Sequence, residues 1–442
     1  PHFLRKRFVP CLFVFLAAAM VTPATGMEPD LTVLRERLLK GPHLSDLVSY
    51  AYQKNPAIQG SKAKWHASLE QIRVDGAYPD PQLSMTYWPE SAVNDLDEKK
   101  IEVMLSQTLP FPGKLDAAEA AAQAEARINR INLDRSVRDV VAGVRESFYE
   151  LAYIRKAQRI GSQNEELIVQ LRAMGESAYA ADRASLIDVL KAQSQAAQTG
   201  YDILLLKELE QTEITRLNGW LNREKDAAIG PLAEDPLPPV VFSLDEIDSL
   251  AGKNRQEIQI ATAGIEKSTA QADMARYENR PEFMLGLLYE ENAPGEPGAS
   301  REEMYGLQVG MTLPLWFGKN NARKEAAKAG IEEAKAMAQA ARNDTRSLVH
   351  ETFFRLKNAE RLMTLYRDHL IPQAQKSMET AETWSRQGAG SLSDYTEIQS
   401  VWYNFQLAFA RSQADYGKYL SRLESLAGQR LTTQNPPEAG PK

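Results

Sequence analysis

The chain has 442 residues, of which 43% are hydrophobic and 25% are charged, and its formal net charge is −7. This composition is rich enough in apolar residues to bury a core, and it excludes a chain that is disordered by composition. The mean hydropathy of −0.42 argues against a bundle of transmembrane helices.

Residues 1–26 have the pattern of a secretory signal peptide. A basic region over 5–7 precedes an apolar run over 8–21, and small residues over 24–26 offer a cleavage site. The apolar run is short for a stable membrane span, so a short anchor is the alternative. Cleavage would remove Cys11, the only cysteine, and would take the net charge from −7 to −10. An exported, acidic chain without cysteine is not expected to form disulfides or to bind nucleic acid.

The rest of the sequence is a tandem duplication. Leu109-Pro110 matches Leu313-Pro314, "ESFYEL" matches "ETFFRL" and "SLIDV" matches "SLSDY", at offsets of 204 to 206 residues. Asn55 aligns with Asn254 at an offset of 199. Matches in one order with slowly drifting offsets indicate two copies of one unit. The predicted segments are the signal peptide (1–26), an N-terminal periplasmic segment (27–43), the first repeat (44–222), a linker (223–242), the second repeat (243–428) and a flexible C-terminal tail (429–442).

Each repeat opens with a predicted helix of about thirty residues, over 44–77 and over 244–278. The helices end before Pro79 and Pro281, because the residue before a proline disfavours helical backbone.

Two strands follow in each repeat, over about 82–90 and 100–110 and again over about 282–290 and 304–314. In each strand large apolar residues alternate with other residues, which is the period of a β-strand. The apolar positions are Leu83, Met85, Tyr87, Ile101, Val103, Leu105, Leu109, Phe283, Leu285, Leu287, Tyr289, Tyr305, Leu307, Val309, Met311 and Leu313.

Alternation alone fits either a soluble sheet or the wall of an outer-membrane barrel. A strand of nine or ten residues has the length that a tilted membrane strand needs, and the signal peptide directs the chain out of the cytoplasm. Four strands cannot close a barrel and open edges are not tolerated in lipid, so a membrane location would require several chains to share one barrel.

Long helices follow the strands, over 115–181 and 320–387. Apolar residues recur along them at spacings of three, four and seven, as in a coiled coil. Each long helix ends at a turn of small residues, "YAADRAS" or "RQGAGS", and a returning helix extends to about Trp220 or Leu426.

The order helix, hairpin, long helix and returning helix, written twice with "LP…GK" corners and "SLxD" after the distal turn, resembles the TolC-like outer-membrane efflux family. The corner and the hairpin loops are similar to the CzcC-like branch, which exports metal cations or small molecules. The resemblance implies a mainly α fold with membrane β-structure: a homotrimer with a twelve-stranded outer-membrane barrel, surrounded by outer-membrane lipid and continued by a long α-helical periplasmic barrel. It implies no enzymatic activity, cofactor or metal, and it implies two partners, a periplasmic adaptor and an inner-membrane pump of the RND type.

The resemblance assigns the distal turns to adaptor contact. These tips comprise Ala181, Asp182, Arg183, Ala184, Ser185, Gly388, Ala389, Gly390 and Ser391. Helix capping by Ser185 and Ser391 is the simpler interpretation, and both interpretations can hold.

The resemblance also assigns a periplasmic gate to acidic residues just past the tips. Asp394 and Glu397 lie three residues apart and therefore on one helix face, and Asp188 is the acid at the matching place in the first repeat. An ordinary solvated helix face is the alternative.

The repeated corner is interpreted as the joint between barrel and tube. Pro110 and Pro314 end strands, where a missing N–H costs least. Gly113 and Gly318 are expected to let the chain bend, and Lys114 and Lys319 to open the long helices. Tyr87 and Trp88 are candidates for an aromatic belt at a membrane interface, and packing at the edge of the lumen is the alternative.

Three alternatives remain at this point. The chain could be the outer-membrane exporter of a type I protein secretion system, a soluble periplasmic coiled-coil scaffold, or an exported enzyme. "HETFF" at His350 lacks the second histidine of a metalloprotease helix, and no phosphate loop or clustered catalytic constellation is evident, which argues against the enzyme.

Overall fold

The computed structural model describes residues 30–88, 99–182, 185–292, 302–387 and 392–432. Its elements, in chain order, are α1 (Leu31–Lys40), α2 (Leu44–Lys54), α3 (Pro56–Asp75), β1 (Gln82–Tyr87), β2 (Lys99–Leu109), α4 (Lys114–Ala180), α5 (Leu186–Leu221), α6 (Leu244–Asn254), α7 (Gln256–Tyr277), β3 (Phe283–Asn292), β4 (Glu302–Met311), α8 (Phe317–Leu365), a π-helical turn (Tyr366–Leu370), α9 (Ile371–Gln387) and α10 (Leu392–Ala427). The signal peptide and residues 433–442 of the C-terminal tail lie outside the described residues.

The opening helix of each repeat is two helices, so the prediction of single helices over 44–77 and 244–278 was wrong. Asn55 separates α2 from α3, and its side chain accepts a 2.9 Å hydrogen bond from the Ala57 N–H. Pro56 follows at the first helical position, where its missing N–H costs nothing. In the second repeat the break falls at Arg255, which has extended backbone.

The two asparagines that anchored the sequence alignment make the same contact. The Asn55 side-chain amide donates a 2.9 Å hydrogen bond to the Trp220 carbonyl, and the Asn254 amide donates one of 2.9 Å to the Ala427 carbonyl. Each bond joins the break between the opening helices to the end of the returning helix. The duplication is therefore expressed in specific contacts as well as in element order.

The long helix of the first repeat is continuous, whereas that of the second repeat is interrupted. The 67 residues of α4 reach about 100 Å at 1.5 Å per residue. Between α8 and α9 the helix widens into the π-helical turn just before Pro372. A proline cannot donate the backbone hydrogen bond of its turn, which accounts for a local change of winding there.

Each repeat has a large hydrophobic core of its own in the described structure. One joins α1, α2, α4 and α5 around Leu47, Leu151 and Leu217, and the other joins α6, α8 and α10 around Leu356 and Leu423. The segment between α5 and α6 packs along these helices, and the Tyr416 hydroxyl donates a 2.9 Å hydrogen bond to the Pro238 carbonyl. In the described residues no helix is both long enough and apolar enough to cross a membrane.

Candidate functional site

The four strands form one antiparallel sheet in the order β1-β2-β3-β4. Its register places Leu105 opposite both Leu83 and Leu287, and Leu287 opposite Leu307. Paired residues share a face, so the apolar positions of the four strands lie on one side of the sheet, as the alternation predicted. This face is open to solvent in the single chain, and Leu307 on it is 83% exposed.

The opposite face carries mainly small and polar residues, together with Met104, Met284, Leu288 and Met304. Gly286 pairs with Gln308, Ser106 pairs with Gly286, and Thr86 pairs with Glu102. Glu290 and Ser106 on this side are buried even in one chain. A sheet with one strongly apolar face and one face rich in small and polar residues is suited to separate lipid from water.

Both edges of the sheet are open. Strands β1 and β4 each pair on one side only within the described sheet, so their outer N–H and C=O groups have no strand partner there. Tyr87, the last residue of β1, lies exposed on the apolar face opposite Ile101, and Trp88 follows it. Their role in an aromatic belt stays a prediction.

The first joint has the bend that the sequence predicted. Strand β2 ends just before Pro110, Gly113 adopts a φ of +91°, and Lys114 opens α4. A methyl group on Gly113 would come within 2.6 Å of the Tyr277 hydroxyl oxygen, so only glycine fits in both conformation and space. The Lys114 ammonium also lies 2.5 Å from a carboxylate oxygen of Glu282.

The second joint is built differently, and the prediction that Gly318 supplies its bend was wrong. Gly318 lies within the first turn of α8 without a positive φ, and Lys319 follows it inside the helix. The turn occupies the residues between Met311 and Phe317, including Pro314. The extra residue in "LPLWFGK" relative to "LPFPGK" accounts for the difference, because the chain can turn without left-handed backbone.

The described part of the first tip is a helix start. The Ser185 hydroxyl accepts a 3.1 Å hydrogen bond from the Ile187 N–H, and the Asp188 carboxylate accepts one of 3.3 Å from the Ser185 N–H. This capping box confirms the predicted N-cap role of Ser185. Ala181 and Asp182 form the end of the preceding turn, where Asp182 has a φ of +55°. Arg183, Ala184, Gly388, Ala389, Gly390 and Ser391 lie outside the described residues.

Two of the three predicted gate residues lie together. Asp394 and Glu397 are on exposed positions of the first turns of α10 and line one groove of about 880 Å³ between α9 and α10. Lys376 of α9 and the ring of Phe405 line the same groove. The groove therefore combines two carboxylates, one ammonium group and an apolar floor.

Asp188 is placed differently. Its carboxylate belongs to the capping box of α5, and it lines neither this groove nor the one between α5 and α10. On that second groove, the Lys191 ammonium donates a 2.9 Å hydrogen bond to the Ser393 hydroxyl. This contact ties the starts of the two returning helices to each other.

A buried polar cluster joining three helices was missed from the sequence. The Gln399 amide donates a 2.8 Å hydrogen bond to the Asn164 side-chain oxygen, and the Asn164 amide lies 3.5 Å from the Thr199 hydroxyl. These residues lie on α10, α4 and α5. In the sequence, each of the three is a polar residue at a position where the helical pattern would place an apolar one. This departure from the pattern is informative only when the three helices are known to meet.

No group of three or more His, Cys, Asp or Glu side chains in the described ranges could hold a metal ion. The absence of a cofactor stays a prediction.

The same fold is found among solved structures. The chain is similar to the outer-membrane protein VceC of Vibrio cholerae with a TM-score of 0.72 and 18% identity, over 88% of this chain and 96% of that one. The two chains share their fold over most of their length.

The family model for outer membrane efflux proteins matches residues 47–223 and 249–429, and the chain belongs to that family. Among curated relatives, Protein CyaE of Bordetella pertussis is 24% identical over 72% of this chain and 69% of its own length. The pyoverdine export outer membrane protein OpmQ of Pseudomonas aeruginosa is 22% identical over 86% of this chain and 84% of its own length. The protein is thus an outer-membrane efflux channel of the TolC-like kind.

Proposed function

We propose that the protein is the passive exit duct of a tripartite efflux system. Three copies form a homotrimer in which each contributes four strands to a twelve-stranded barrel and its helices to a periplasmic tube. A periplasmic adaptor links the tube to an inner-membrane pump of the RND type, which supplies the driving force. The channel itself carries out no chemical step.

The observation that carries this proposal is the sheet, with its exposed apolar face and its two open edges. Unpaired backbone groups are very costly in hydrocarbon, so a spanning sheet must close on itself. Four strands are too few to enclose a lumen, and copies that pair β4 with β1 of the next copy would remove both edges.

The helical part supports a tube and a docking site at its far end. An exposed apolar stripe runs along α5 and includes Ile187, Leu190, Tyr201 and Leu204. A helix in water buries such a stripe against another helix. Ile187 and Leu190 lie next to the tip, so we assign this end of the stripe and the tip residues to the adaptor's helical hairpin.

We assign the gate to Asp394 and Glu397. Their carboxylates share a groove near the tip, and three copies would bring six of them to one level of the tube. Such a ring repels anions and attracts cations. Asp188 contributes to the gate indirectly, because it caps the start of α5.

The proposed substrates are metal cations or small molecules. The acidic groove favours cationic cargo, and placement in the CzcC-like branch rests on the strand-to-helix corner of the sequence. The relative OpmQ is named for export of pyoverdine, and we extend to this chain only export of a small solute.

Cross-linking between sheet edges tests the assembly. Cysteines replace Ser84 on β1 and, one at a time, Gly306, Gln308 or Gly310 on β4, all on the polar face. One of these pairs should give covalent dimers and trimers in outer-membrane fractions. The control pair Met104→Cys and Leu288→Cys, opposite each other across β2 and β3, should link only within a chain. A soluble monomer in the periplasm with no inter-chain link would contradict the proposal and favour the scaffold alternative.

A further inference from the structure

The five methionines of the four strands divide between the two faces of the sheet. Met85 and Met311 lie on the apolar face, whereas Met104, Met284 and Met304, the lumen-side methionines, lie on the opposite face. In the proposed barrel the apolar face meets lipid and the opposite face meets the water of the lumen. Three thioether groups of each copy therefore face water, where the hydrophobic effect does not favour them.

Packing accounts for the lumen-side methionines less well than for the other two. Methionine commonly fills gaps among apolar side chains. Met284, however, lies between Thr108 and Gly310 in the register, and Met304 lies opposite Glu290. Met304 is also 51% exposed in the single chain. Small and polar neighbours leave these two sulfur atoms no apolar gap to fill, so their placement is better explained by what a sulfur atom can bind.

The lumen-side methionines form a series along the strands rather than one cluster. Met284 and Glu290, the partner of Met304, are six residues apart on β3, which separates their levels by about 20 Å. Met104 lies between these levels, opposite Leu288. Met284 is next to the start of β3, which follows α7, and Met304 is at the end where β3 connects to β4. The series thus runs from the tube end of the sheet to its far end.

The chemistry of a thioether limits what such a series can bind. Thioether sulfur is a soft ligand that selects Cu(I), and Ag(I) is a soft ion of the same charge. Conduction through a channel requires binding that admits an ion but is weak enough, or divided over enough sites, to let the ion leave. A cluster of thioethers would hold the ion, whereas a series of single thioethers meets this requirement.

The level of Met304 also carries negative charge. Glu102 and Glu290 lie directly opposite each other on the same face, and Met104 is two residues from Glu102. Rings of carboxylates are a recurrent device of cation channels. The carboxylates would concentrate cations of every kind at this level, and the thioethers would then discriminate soft cations from hard ones.

We propose that the channel conducts soft monovalent metal cations, Cu(I) or Ag(I), and that the lumen-side methionines bind them in passing. The inference rests on the proposed exit duct and names its cargo. Three copies would supply three thioethers at each of three levels. Hard cations prefer carboxylate, carbonyl and water oxygens, so they gain nothing from these sulfur atoms.

Methyl NMR of the purified channel, labelled with 13C at its methionine methyl groups, tests binding. Ag(I) is added as the nitrate in chloride-free buffer, and signals are assigned by replacing each methionine with leucine. The lumen-side signals should shift, whereas those of Met85 and Met311 should not. Met337, which is 59% exposed on α8, reports the response of a lone methionine in water. The lumen-side signals should shift at roughly tenfold lower Ag(I) than Met337, because a cavity lined by one sign of charge concentrates counter-ions.

Planar-bilayer recordings test conduction. With AgNO3 on one side and KNO3 on the other, the reversal potential gives the ratio of Ag(I) to K⁺ permeability. The wild type should favour Ag(I), whereas the triple variant Met104→Leu, Met284→Leu and Met304→Leu should give a ratio near one, because the two ions have equal charge. The matched control Met85→Leu with Met311→Leu removes two thioethers from the apolar face and should keep the ratio of the wild type.

The outcomes separate the cargo from the duct. Channels that conduct KNO3 without preference for Ag(I), or that keep the preference in the triple variant, overturn the inference and leave the duct intact. Lumen-side signals that shift only together with Met337 also overturn it and assign these methionines to packing. If neither the wild type nor the Asp394→Ala, Glu397→Ala variant conducts KNO3, the proposed duct fails together with the inference.

Discussion

Replacing Gln399 by leucine should destabilise the junction of three helices by leaving a buried oxygen without its donor. Gln399 is 1% exposed and Asn164 is 2% exposed, and the bond between them is 2.8 Å long. An unsatisfied buried polar group costs about 1–3 kcal/mol. Leucine is close to glutamine in size, so most of the loss should come from the Asn164 oxygen rather than from a cavity.

A double-mutant cycle measures this cost directly. Gln399→Leu, Asn164→Leu and the double variant are unfolded with urea in detergent micelles, and helix content is followed by circular dichroism. The double variant should lose less stability than the sum of the single variants, by about 0.5–3 kcal/mol, because neither amide then remains alone. Asn404→Leu, at an exposed position of the same helix, should change stability by less than about 0.5 kcal/mol. Strictly additive losses would refute the argument that the hydrogen bond carries the effect.

Three further predictions concern the joint, the linker and the gate. Gly113→Ala should cost about 1–3 kcal/mol, because alanine is strained at a φ of +91°, whereas Gly318→Ala should leave folding of the single chain intact; equal thermal stability of the two variants would contradict the different roles of the glycines. Burial, with the nearby Glu360 carboxylate, raises the pKa of Tyr416 from 10.0 to about 12. Since the folded state holds this proton more tightly, the stabilisation is complete below pH 10 and is lost as pH rises from 10 to 12, by up to about 3 kcal/mol; Tyr416→Phe should reduce the alkaline loss in urea titrations, and an unchanged pH profile would contradict the assignment. Asp394→Ala with Glu397→Ala should raise single-channel conductance in planar bilayers and weaken block by divalent cations; unchanged conductance and block would remove the gate from these residues.

The sequence was sufficient to predict those features that depend only on residues close together in the chain. The strand period predicted which residues share a face, and the observed pairing of Leu83, Leu105, Leu287 and Leu307 agrees with it. The capping role of Ser185 likewise depends only on its neighbours. The breaks in the opening helices could have been found in the first repeat, where "KNPA" contains both an N-cap asparagine and a proline.

Features that depend on distant segments could not be predicted in this way. "LP…GK" looks equivalent in both repeats, yet only Gly113 needs left-handed backbone. The proline at 372 marks a disturbed helix, but the sequence does not say that the disturbance is a wider turn rather than a kink. The pairing of Gln399 with Asn164 requires knowing that residues 235 positions apart meet.

Comparison of the two repeats shows that a residue makes the same contact in both only where the residues around it are also alike. Asn55 and Asn254 are identical and make bonds of equal length, because each lies against the end of its own returning helix. The two joints share only their first two and last two residues, Leu-Pro and Gly-Lys. Their surroundings within one chain differ, because Phe111 is covered by Tyr277 whereas Trp316 is exposed. The exposed Trp316 side chain is therefore a difference between the repeats that their shared Leu-Pro and Gly-Lys residues do not predict.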